Sequence, residues 1–74
     1  MWYKEKFNFM RTPNNIIPII KAVGVKSIST VRIRDISYNT ITETKEHRTI
    51  DWLIDWINLN FERYKNSVYV EIEG

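Results

Sequence analysis

Cysteine is absent from the chain. Its absence removes disulfides, thiolate metal ligands and thiol nucleophiles together, and it leaves the redox compartment open. Histidine occurs once, as His47, inside the polar run Lys45-Glu46-His47-Arg48. One imidazole without thiolates does not build an ordinary zinc site, and nucleophilic catalysis needs a base held beside its nucleophile. His47 therefore reads as a solvated surface residue, with no metal and no cofactor expected. Glycine and proline number two each. Gly24 and Gly74 stand alone, so no glycine-rich phosphate loop can form, and little chain is left for a flexible linker. No apolar run approaches the ~18–20 residues of a membrane span; the longest, Ile16 to Ile20, already contains Pro18. Met1-Trp2-Tyr3-Lys4-Glu5-Lys6 lacks the apolar stretch of a secretion signal. The expectation is a cytoplasmic protein that does not enter a membrane.

What is present is globular in composition. Apolar residues make up 43% and charged residues 27% of 74 residues, enough for one domain, residues 1–74, near the lower size limit for a single core. The net charge of +2 is too small to point to nucleic acid by itself. Isoleucine, asparagine and lysine supply 25 of the 74 residues. All three use AT-rich codons, which with the small size suggests a phage or mobile-element gene.

Periodicity divides the chain into six elements. Trp2 to Met10 alternates, with Phe7 and Phe9 on one side and Lys4, Lys6 and Asn8 on the other, as in a half-buried strand. Asn15 is a candidate N-cap for a helix over Ile16 to Val23, with Pro18 in its first turn and Gly24 as its stop. Val25 to Tyr38 reads as extended: Val31 and Ile33 oppose Arg32 and Arg34. Ile36 and Tyr38 fall out of phase, which predicts a bulge or bend near Arg34-Asp35. Asn39-Thr40 is a weak turn, and the threonine-rich stretch Ile41 to Arg48 reads as an edge or projecting strand. Thr49 caps a second helix running to about Lys65, with Asp51 in its first turn. Val68, Val70 and Ile72 then alternate through a last strand.

The order β-α-β-β-α-β predicts an α+β ferredoxin-like sandwich, a four-stranded antiparallel sheet with two helices on one face. First and last strands are neighbours in that topology, so Lys4 and Lys6 would face Glu71 and Glu73. The expected core contains Phe7, Phe9, Ile33, Leu53, Ile57, Val68 and Val70.

Two constellations remain as candidate sites. Lys26, Arg32 and Arg34, extended by Arg48, form a cationic stripe that would serve a nucleic-acid-binding module. The third strand carries no aromatic on its outward positions, however, where an RNA-recognition module would stack bases. The second constellation lies on the helix after Thr49. At about 100° per residue, Ile50, Leu53, Ile54, Ile57, Phe61 and Tyr64 fill one core arc. Asp51, Asp55, Asn58, Glu62 and Lys65 form a charged face, and a solvated pair is the reading for Asp51 and Asp55. Trp52, Trp56 and Leu59 belong to neither arc. Either they pack on the first helix, where Ala22 leaves room for an indole, or they bind a partner, since tryptophan is enriched in interface hot spots. The expected function is a non-catalytic protein-binding domain. Its partner would be a host macromolecule or a second copy, and in its most concrete form it is a phage inhibitor or modulator of a host protein. Nucleic-acid binding and a homo-oligomeric structural role are the alternatives.

Overall fold

The computed structural model describes residues 8–46 and 48–74, and residues 8–11 by their backbone alone. Trp2, Tyr3, Lys4, Lys6, Phe7 and His47, together with the Phe9 side chain, lie outside that description. The elements are β1 (Asn8–Arg11), α1 (Pro13–Val23), a 3-10 turn (Val25–Ser27), β2 (Thr30–Arg34), β3 (Thr40–Thr44), α2 (Ile50–Arg63) and β4 (Tyr69–Glu73).

Helix α1 starts three residues before the expected Ile16. Pro13 takes the first helical position, where its ring already sets φ and its missing N–H is no loss. Thr12, extended at φ −77 and ψ 161, is the N-cap, and its carbonyl accepts from the Ile16 N–H at 2.9 Å. Pro18 consequently sits inside the helix and not in its first turn. It cannot bond the Asn14 carbonyl, a loss that matters less because both residues are exposed. Gly24 ends the helix at φ 82, a backbone region that L side chains avoid.

The extended run also ends early, at Arg34. Asp35 closes a loop in which its Oδ1 accepts from the N–H groups of Ser37 and Asn39, each at 2.9 Å. The expected irregularity is present as a register shift between Ile33 and Arg34. The turn, however, spans Asp35 to Asn39 and forces Tyr38 to φ 65. Helix α2 opens as its sequence predicts: the Thr49 hydroxyl accepts from the Trp52 N–H at 3.0 Å.

The sheet is antiparallel throughout, in the order β1-β4-β2-β3. This overturns the ferredoxin-like expectation. That sandwich places the first and third strands at the centre, whereas here β2, β3 and β4 form an antiparallel unit with β2 at its middle and β3 at an edge. The β1 backbone lines the outer side of β4, pairing Phe9 with Ile72 and Met10 with Glu71. The physical reason lies in the residues that face the helices. Val31 and Ile33 on β2 and Val70 and Ile72 on β4 are fully buried, whereas the corresponding positions of β3 are Thr42 and Thr44. A threonine strand loses less at an edge, where part of it stays in water.

The core joins Val31, Val70 and Ile72 to Ile16 and Ile20 of α1, to Leu53 and Ile57 of α2, and to Ile28. Of the expected core, Ile33, Leu53, Ile57 and Val70 are buried and Val68 is half-buried. Leu53→Ala or Ile57→Ala should destabilise by about 2–5 kcal/mol, a large share of the ~4–11 kcal/mol that a chain this size commands at roughly 0.05–0.15 kcal/mol per residue. Denaturant titration checks this, and midpoints close to wild type for both variants would show that α2 is phased differently.

Candidate functional site

The helix face and the sheet face are chemically opposite. On α2 the buried residues are Leu53, Ile57 and Asn60. At about 100° per residue the centre of that arc is turned roughly 40° from the centre of the arc that begins with Ile50, toward Trp56. A buried asparagine was not legible as part of the core. It is accommodated because its Nδ2 donates to the Trp56 carbonyl at 2.8 Å, one turn back along the helix.

The rotation decides what Trp52, Trp56 and Leu59 do. Both indoles are half-buried and pack on the margin of the core cluster. Leu59 is 66% exposed. Ala22 is itself exposed, so the indole seat expected on α1 is not formed. Helix α1 meets α2 on its other flank, where Thr12, Pro13 and Asn14 line a shallow groove of about 320 Å³ with Asn58, Phe61 and Glu62. Since α1 rests on β1 and β4 and α2 on β2, the tryptophan flank overhangs the β3 edge. Arg48 belongs to this flank. Its guanidinium lies 5.4 Å from the Trp52 ring centre and pairs with Glu46 at 3.1 Å.

The open face of the sheet holds the expected cationic stripe, but its charges are already paired. Glu71, 9% exposed at its side chain, accepts from Arg32 at 3.1 Å and from Arg34 at 3.0 Å. Arg32 also reaches Glu43 at 3.1 Å and Glu73 at 3.3 Å, and Arg34 donates to the Tyr38 carbonyl at 2.6 Å. Burial lowers the Arg32 pKa, but the hydrogen bonds to Glu71 and Glu43 and the charge of Glu73 outweigh it and hold the pKa above its ordinary value. Lys26 is apart from these, exposed in the 3-10 turn, and Arg48 is on the helix side. The structure therefore brings Arg32 and Arg34 together and separates Lys26 and Arg48 from them.

An aromatic pair on this face was missed. Tyr38 and Tyr69 stack at 5.2 Å between ring centres with 20° between planes. The Tyr38–Tyr69 register depends on the Asp35 loop, which periodicity alone did not show. Hydrogen bonding with the Tyr38 hydroxyl, its charge and some burial raise the Tyr69 pKa above the usual phenol value.

Two expected outcomes follow from the open face. Arg32→Gln with Arg34→Gln strands a buried carboxylate and should cost about 1–3 kcal/mol of stability, read by thermal melting; an unchanged melt would mean that Glu71 is solvated. In an ultraviolet pH titration Tyr69 should ionise later than a free phenol. The Tyr38–Tyr69 pairing thus stabilises the fold fully below the unfolded phenol pKa of ~10, and the gain is lost as pH rises through the higher folded value. Tyr38→Ala should return Tyr69 to ordinary ionisation.

No helix among the described residues is long and apolar enough to cross a membrane. Comparison of the chain with protein-family models, with curated proteins and with solved structures gave no match.

Proposed function

We propose that this chain is a non-catalytic domain that works by binding another protein through the outer flank of α2, with Trp52, Trp56 and Leu59 at the contact. One observation carries the reading. Leu59 is a large apolar side chain left 66% exposed beside two tryptophans that are only half-buried. Covering a leucine contributes about 1.5–3 kcal/mol, and partly covered tryptophans are the side chains that most often dominate an interface. The flank lies clear of α1, so a partner reaches it without any rearrangement of the fold.

The open sheet face supports the same reading by contrast. Arg32 and Arg34 are engaged by Glu43, Glu71 and Glu73, so phosphate contact there would first have to break those pairs. Composition favours a phage-encoded modulator acting in the cytoplasm, whose partner is a host protein or a second copy of the chain, because occupying a surface needs hot spots and no reactive groups.

Leu59→Glu should leave the melting temperature within a few degrees of wild type, as expected for a surface substitution. It should also abolish capture of the partner from the native host. Leu53→Glu, on the same helix and fully buried, should unfold the chain. The proposal fails if Leu59→Glu captures the same proteins as wild type, or if what wild type captures is nucleic acid released steeply by salt.

A further inference from the structure

The α2 flank carries a charge pattern as well as an apolar one. Asp55, Leu59 and Arg63 are spaced four residues apart, so they form one continuous ridge along the helix surface. Asp55 and Arg63 are exposed, and among the described residues neither takes part in a salt bridge. The Arg63 guanidinium rests 5.9 Å from the centre of the Tyr64 ring, a contact a carboxylate partner would compete with. The ridge therefore reads acid, leucine, base. Such a pattern complements itself only when a second identical ridge runs in the opposite direction. Leucine then meets leucine on the two-fold axis, and each acid meets a base on either side.

We propose that the occupant of this flank is a second copy of the chain. The two α2 helices pack antiparallel about Leu59, and Asp55 of each pairs with Arg63 of the other. A two-fold interface uses the same patch twice, so residue i meets j and j meets i. Asp55 and Arg63 satisfy that condition around Leu59. The half-buried Trp56 lies beside the ridge and becomes covered as the helices close to the ~8–10 Å of ordinary helix packing. Helix α1 does not obstruct the approach, because it meets α2 on the Asn58 and Phe61 flank. One helix flank buries less than the ~800 Å² per partner of a standard interface, so the dimer is a weak one, with a dissociation constant in the micromolar to millimolar range. This inference rests on the binding role given above to the same flank, and it names the partner.

Sedimentation equilibrium up to about 1 mM, a ceiling set by the weakest affinity expected, tests it. Wild type should show a monomer–dimer equilibrium. Asp55→Arg alone and Arg63→Asp alone each place like charges opposite one another twice, and each should weaken association by about tenfold or more. Mixing the two variants restores both pairs, so the mixture should form a heterodimer with affinity close to that of wild type. All three proteins should melt together, because neither side chain packs in the core. A wild type that stays monomeric throughout, or a mixture no better associated than its components, overturns the inference. If a Leu59-dependent partner is still captured in that case, the binding role of the flank survives with a different occupant; if it is not, both fall.

Discussion

The antiparallel pairing of β2 with β4 is the contact on which the rest of this molecule depends. Val31 lies opposite Ile72 and Ile33 opposite Val70; all four are buried, and Val31, Val70 and Ile72 join the cluster into which both helices pack. On the reverse side of the same strands, Arg32 lies opposite Glu71. One register thus builds an apolar face and a paired ionic face at once. A one-residue slip would expose the valines and isoleucines and bury the arginines beneath the helices, so the register is strongly specified.

The exposed surfaces follow from that pairing. With β4 and β2 central, β3 is left at an edge. Helix α1 covers the β1 and β4 side and α2 covers β2, so the outer flank of α2 has no helix beside it. The tryptophans lean on the core margin, and Leu59 is left facing outward. Among the described residues, the opposite face of the sheet sets Arg32 and Arg34 against Glu43, Glu71 and Glu73. These arginines are therefore paired where the sequence suggested an open cationic stripe, and the apolar surface is open where one reading of the sequence would have closed it against α1.

Particular residues show why some of this was legible and some was not. Thr49 followed by Trp52 caps α2 as a local rule requires, and the alternation around Val31 and Val70 identifies buried strand faces because burial on a strand repeats every second residue. The start of α1 was misplaced because two local signals competed, Asn15 as a cap and Pro13 as a first helical residue, and proline prevailed. The Asp35 loop was missed because its bonds run from one carboxylate to two backbone amides, which leaves no hydrophobic period. The sheet order was misjudged despite a usable sign. The stretch beginning Ile41-Thr42-Glu43-Thr44 had the polarity of an edge strand, and the ferredoxin-like order requires that strand at the centre.

The sequence by itself determined the α+β content of the chain. It also determined which faces of β2 and β4 seek the core and that Leu59 stands outside it, whereas the buried face of α2 lies about 40° round the helix from the arc that periodicity drew. These are properties of nearest neighbours and of periods of two and 3.6 residues, which act before the chain is assembled. Only the tertiary structure decided which strand lies beside which, that Glu71 occupies Arg32 and Arg34, that Tyr38 meets Tyr69, and that α1 leaves the tryptophan flank free. Each of these joins residues tens of positions apart. Alternating patterns of the same kind satisfy several strand orders equally well, and the choice among them rests on which side chains lose least by standing at the edge.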